Sequence, residues 1–208
     1  MMAQMKDLFE AYEILAARAD NSFREVEKEY GDCIKCRVQC SDCCHSVFGL
    51  FAIEAAYLSH HFGRLDRKFR REALTRAGKT DLELLDMEKR LREAHGEDAE
   101  AMLRAIARER VRCPLLNEED KCALYEHRPI TCRVYGIPTV ISGKLHACWQ
   151  GGFEKGKPYP AFDLDGMYRE LYGLSKELFA RAGQGDSDRA SLLLSVSKSI
   201  TTPVEELL

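Results

Sequence analysis

The chain has no long apolar run. The longest, residues 47–53, is seven residues out of 208. A bilayer crossing needs about 20, so no membrane partner is expected. The opening segment, MMAQMKDLFEAYEILAARAD, has no basic start followed by an apolar core. It reads as an amphipathic helix and not as a secretory leader, and the expected setting is cytosolic. Net charge is small, −3, and gives no global pull toward nucleic acid, which is not an expected partner. The local basic run RLDRKFRR at 64–71 reads as the solvated face of a helix. There is no internal repeat and no low-complexity tract. No glycine-rich turn follows a strand in the way that would hold a methyl donor.

Cysteine, by contrast, is abundant. Five of nine fall within twelve residues, Cys33, Cys36, Cys40, Cys43 and Cys44; the other four, Cys113, Cys122, Cys132 and Cys148, follow a gap of 68 residues. An odd count cannot pair fully into disulfides. A chain of this length buries roughly 70% of its unfolded surface and needs no cross-links to fold. In a reducing compartment such clusters bind metal or do redox chemistry. Two thiol-dense groups far apart in sequence suit a metal site, because short chelate spacings supply half of a tetrahedron and a distant segment closes it.

Hydrophobic spacing predicts a mainly α fold, with a small irregular cysteine-rich metal-binding centre and a short β-hairpin, in a single domain over 1–208. An N-terminal helix occupies 1–32, with apolar residues at Met5, Leu8, Phe9, Tyr12, Leu15, Ala19, Phe23, Val26 and Tyr30 stepping by three and four. The metal-binding core spans 33–150. It holds a second helix at 50–62 and a charged helical insertion at 64–110, where 24 of 47 residues are charged. The insertion reads as two or three surface helices broken near Gly78 and Gly96, laced by the pairs Asp86–Arg90, Glu88–Arg92 and Glu100–Arg104. Residues 137–141 and 144–148 form a hairpin around Ser142-Gly143. A turn or two of helix covers 128–135, with Pro129 first. C-terminal helices fill 160–202: one carries Leu164, Met167, Tyr168, Leu171, Leu174 and Leu178, and a last one covers 187–200. Asp163 and Asp165 fit an N-terminal cap.

Within Cys36-x3-Cys40-x2-Cys43-Cys44, three thiolates can face one point. Neighbouring side chains diverge, so Cys43 and Cys44 are expected to serve different ions or different irons. Eight thiolates then make two four-coordinate sites, each drawing on both halves of the chain. Cys33 lies outside this scheme, as a spare or alternative ligand. Zinc ribbons favour two short C-x2-C knuckles, whereas here eight, nine and fifteen residues separate the later cysteines. A cluster, being larger than an ion, tolerates such dispersal better, so iron–sulfur is favoured over zinc. The C-x3-C-x2-C spacing is also that of radical S-adenosylmethionine enzymes. That chemistry sits in a partial barrel of alternating strands and helices, which the helical pattern here does not supply.

Arg128 and Arg133 flank Cys132 and are expected to offset thiolate charge from just outside the ligands. Trp149 is placed to shield the site from water. His45 reads as a polar loop residue and His127 as part of a helix start. His60, His61, His95 and His146 have no partner spacing.

The whole pattern resembles the YkgJ-type cysteine-cluster proteins. It comprises Cys36-x3-Cys40-x2-Cys43-Cys44, then Cys113-Pro114-Leu115-Leu116, then Cys122-Ala123-Leu124-Tyr125-Glu126-His127-Arg128-Pro129-x2-Cys132-Arg133, then Cys148. Those proteins are described as zinc- or iron-chelating domains and are often labelled Fe–S oxidoreductases. The resemblance implies that Cys36, Cys40, Cys43, Cys44, Cys113, Cys122, Cys132 and Cys148 bind metal. It implies an iron–sulfur or zinc cofactor and a redox or protein partner that the residues do not identify. Related motifs occur in flagellin lysine N-methylases, so methyl transfer is a second implication.

Overall fold

The structure, a computed structural model, describes residues 2–36, 40–184 and 189–207. Eight helices and a three-stranded sheet make up its regular elements. Helix α1 (Met2–Tyr30) buries one stripe, Met5, Leu8, Tyr12, Leu15, Ala19 and Val26, as the spacing predicted. It packs on α2 (Ala52–Phe62), α5 (Ile130–Val134) and α6 (Leu164–Arg181).

Helix α2 is buried almost all round and joins two apolar clusters. Ile53, Ala56 and Tyr57 face the first, with Tyr12, Ile130, Val134 and Leu171. Ala55, Leu58 and Phe62 face the second, with Ala73, Leu115 and Leu124. A helix apolar on every side is a core helix, and its position between the two clusters puts the cysteine segments against it.

Helix α3 (Arg67–His95) differs from expectation, because it runs unbroken through Gly78. A glycine inside a helix costs about 1 kcal/mol. The flanking Ala73, Ala77 and Thr80 are buried on the side where α3 packs against α7 (Val196–Thr201), which offsets that cost. The helix ends at Gly96, whose φ of 58° suits a residue without a Cβ. Helix α4 (Ala99–Ile106) follows. The pairs Glu88–Arg92 and Glu100–Arg104 form at 2.6 Å, while Arg90 turns instead to Glu109.

Strands β1 (Thr139–Ile141) and β2 (Lys144–His146) pair antiparallel. Ser142 and Gly143, at φ 51° and 68°, make the left-handed two-residue turn that matches strand twist. The sheet gains a strand that the sequence did not suggest, β3 (Phe162–Asp163), parallel to β1. Asp163 caps α6 through the Gly166 N–H, whereas Asp165 accepts the Ser142 and Gly143 N–H groups and so braces the hairpin turn. The helix expected over 187–200 is not one helix. A short 3-10 turn (Arg189–Ser191) precedes α7, and α8 (Val204–Leu207) ends the described chain; residues 187–188 lie outside the described residues. Leu194 there pairs with Leu50 as an isolated bridge, which interrupts any helix. No helix among the described residues is long and apolar enough to cross a membrane.

Glu54 is buried on α2 and accepts the N–H groups of Phe51 and Ile130. Burial pushes its carboxyl up from 4.5 to about 7. Between those values the folded chain keeps a proton that the unfolded chain releases, so stability falls as pH rises across the window, by about 3 kcal/mol. Chemical denaturation of Glu54→Gln should lack that slope. A variant with the wild-type slope from pH 5 to 7 would refute the assignment.

Candidate metal centre

Backbone pairing assembles the later cysteines on the early loop. One 3-10 turn (Asp42–His45) carries Cys43 and Cys44. The Cys113 N–H donates to the Cys44 carbonyl at 2.7 Å, and the Val111 N–H donates to the His45 carbonyl at 3.0 Å. Ser46 and Arg110 complete the antiparallel contact. Residues 115–123 then fold back on themselves. Leu116 pairs with Cys122, and the Asn117 side chain accepts the N–H groups of Glu119 and Lys121, which returns Cys122 to the neighbourhood of Cys113. Cys132 arrives on α5, whose first N–H is held by Glu54.

Five thiols, Cys43, Cys44, Cys113, Cys122 and Cys132, line one cavity of about 80 Å³. The pocket is open to the surface and its wall also takes in Val47, Leu84, Val111 and Val196. Cys43 and Cys44 do not diverge as expected. Both line the cavity. The neighbouring Cys44 thiol, followed by the charge of Arg128, outweighs burial and brings Cys43 down to about 7, and the same pairing pushes Cys44 up. Burial raises Cys122 to about 11 and Cys113 to about 12, and it raises Cys132 strongly. Cys113, Cys122 and Cys132 are therefore neutral thiols at pH 7, with backbone N–H groups of Leu115, Leu116 and Leu124 beside the first two. Among the described residues no group of three or more His, Cys, Asp or Glu side chains converges tightly enough to hold a metal ion as it stands. Metal binding deprotonates such thiols, and a change of staggered rotamer redirects the sulfur.

Cations border this cavity. Arg128 lines it, with its guanidinium stacked over the Tyr125 ring at 4.1 Å and a bond to the Tyr125 carbonyl at 2.9 Å. Arg112 also lines it. Its Nη2 donates to the Asn117 carbonyl at 2.8 Å, while its buried Nε has no partner. Arg112 was not singled out from sequence; its only signal there is that it precedes Cys113. Arg133 is placed differently. Only 6% exposed, it donates from Nε to the Arg128 carbonyl, from Nη2 to the Glu126 carbonyl and from Nη1 to Asp20. Its three nitrogens tie α1 to the segment between Cys122 and Cys132, and no thiol is among these partners.

Cys36, Cys40 and Cys148 lie outside the cavity, grouped near Asp42. The Cys36 sulfur occupies the space that a Cβ on residue 136 would fill, so Gly136 is required for its close approach. Burial pushes Cys36 up to about 12, with further contributions from Cys40, Cys148 and Cys43. Cys148 sits 3.8 Å from Asp42. Asp42 is buried and also receives Tyr135 at 2.9 Å, Trp149 at 3.2 Å and Arg110. These donors hold its carboxyl below the usual range against the burial that would raise it. Asp42 thus fastens the hairpin end to the cysteine loop. Sequence reasoning missed it, although it is the lone acid within residues 33–44. Trp149 corrects an expectation: it is 77% exposed and shields nothing, because its indole N–H is held by Asp42 and its ring faces out. Cys33 stands apart, its carbonyl accepting the Gly152 N–H at 2.8 Å.

His45 bonds the Ser41 carbonyl, as a loop residue would. The other histidines are less scattered than they looked in sequence. His61 stacks on His127 at 3.5 Å, His60 packs edge-on to His61, and the Tyr57 hydroxyl contacts His127 and donates to Glu13. Burial lowers all three, His61 to about 4, so they pack as neutral rings between α2 and the Arg128 segment.

With this geometry in hand, the comparisons with known proteins are narrow. A family model named CxxCxxCC, described as "Putative zinc- or iron-chelating domain", matches residues 32–148. No curated protein and no solved structure matches the chain.

Proposed function

Since the chain belongs to the CxxCxxCC family, we propose that it is a metalloprotein whose thiols hold an iron–sulfur centre with a redox-linked role. The observation that carries this reading is the cavity of about 80 Å³ faced by five thiols. Five thiols exceed the four that close around one zinc, and a cluster takes dispersed thiolates together with inorganic sulfide of its own. Thiolate-bound iron–sulfur centres are anionic. Arg128 in the wall and the partnerless Nε of Arg112 supply positive charge and an unused donor at that place. When bound, such a centre supplies one-electron redox chemistry. The residues around it set its potential through charge, hydrogen bonding and burial.

The test is iron, zinc and acid-labile sulfide per chain, with a visible spectrum, on anaerobically purified protein. Iron with matching sulfide and an absorption bleached by dithionite is the expected result. Cys132→Ser should reduce that absorption by at least half. Zinc without sulfide or colour would overturn the redox reading and leave a zinc-stabilised binding module.

A further inference from the structure

Helix α3 buries one side and leaves an apolar stripe on another. Leu74, Leu82 and Leu85 are exposed, Leu82 by 69%. With Gly78 they follow one another at steps of four, four and three, which places all four within about 80° of arc at 3.6 residues per turn. A Cβ on Gly78 would meet nothing within 4 Å, so packing within the chain gives no reason for a glycine there. Ala73, Ala77, Thr80, Met87 and Leu91 form the buried side, which is turned away from the stripe. Exposed leucines grouped on one face mark an interaction surface.

Charge along the same helix indicates what covers it. Residues 67–80 hold six Lys or Arg and one acid, and residues 81–95 hold five acids and three Lys or Arg. Two of those three are already engaged by acids, Arg90 by Glu109 and Arg92 by Glu88. The sign therefore reverses near residue 80, and the stripe from Leu74 to Leu85 is centred at the same place. A two-fold pair requires this coincidence, because its axis must pass through the middle of both patterns. We propose that α3 is a self-association surface, on which a second copy of this chain lays its own α3 antiparallel. Leu74 of one copy then meets Leu85 of the other, and Leu82 seats over Gly78, where the missing side chain lets the backbones approach closely. The basic half of each helix lies along the acidic half of the other. A parallel pair would set basic against basic. Arg71 and Lys89 end the seam, and their long stems carry both charges out to solvent. Thr80 and Leu84, on the inner side of α3, line the thiol cavity. Pairing therefore braces one wall of that cavity without adding a residue to it, and the surface does not depend on what the thiols bind.

The test is sedimentation equilibrium of the full-length, reduced chain, as purified, over a concentration series. The weight-average mass should rise from 23.7 kDa toward twice that value. One helix pair lies at the small end of specific interfaces, so Kd should be on the order of 10–100 μM, and added salt should weaken the pairing. Leu82→Glu should keep the helical circular dichroism and weaken the pairing about tenfold or more. Gly78→Leu should weaken it too, by filling the crossing point, although leucine favours the helix itself. Amine cross-linking of mixed unlabelled and isotope-labelled chains reports orientation. Links between Lys68 of one copy and Lys89 of the other are expected; links between the two Lys89 residues in their place would overturn the antiparallel arrangement. A dimer indifferent to both Leu82→Glu and Gly78→Leu would overturn the surface. A monomer at every concentration would overturn self-association and leave the stripe to a protein of another sequence.

Discussion

Replacing Arg133 by Ala should lower the unfolding free energy of the metal-free protein by about 2–3 kcal/mol, because a buried guanidinium loses its bonds to two carbonyls and to the partly exposed Asp20. Arg133 spends Nε, Nη1 and Nη2 on the Arg128 carbonyl, Asp20 and the Glu126 carbonyl. Truncation leaves two carbonyls short of a donor, while Asp20, 30% exposed, keeps Arg128 and water. Lysine cannot span the three acceptors, since its ammonium is a point charge without the planar fork, so Arg133→Lys should recover only a minor part. Arg128→Ala provides the contrast. Its guanidinium is partly accessible and acts on Cys43, so thermal stability should change far less while metal affinity falls. The measurement is urea denaturation without metal. An Arg133→Ala midpoint equal to wild type would restore the sequence expectation that this arginine serves only to offset thiolate charge.

Removing metal from the loaded protein should loosen one part of the chain and leave the rest folded. The larger apolar cluster, with Tyr12, Ile53, Leu171 and Leu178, contains no thiol. Cys113 and Cys122 pack at the edge of the second cluster. The segments 40–46 and 110–124 are held to each other by a handful of backbone bonds and by Arg110 on Asp42 and Ser46, and metal adds a further link between them. At a free metal concentration 100 times Kd, binding adds about 2.7 kcal/mol, and chelation withdraws it. Far-UV circular dichroism should keep most of its helical signal, while limited proteolysis gains cuts within those two segments. Complete loss of helix on chelation would show that metal drives folding of the whole chain; an unchanged digestion pattern would show that the thiol segments need no metal.

Helices α1, α2 and α6 were legible because their apolar residues recur at helical spacing, and the hairpin because Ser142-Gly143 tolerates positive φ. Gly78 misled, because its penalty is small beside the packing of Ala73 and Ala77. β3 was invisible, because two residues carry no period. The histidines His60, His61 and His127 showed no relation, because α2 and the segment before α5 meet only in space.

Cysteine number and grouping determined, from sequence alone, the family and the thiol chemistry, since ligand type and short spacing are local properties of a chain. Which thiols face one cavity, that Arg112 borders it while Arg133 clamps α1, and that Asp42 seats Cys148 and leaves Trp149 exposed were decided by tertiary structure. Each of these depends on the direction in which a side chain leaves its backbone once distant segments pair, and spacing along the chain holds no record of that direction.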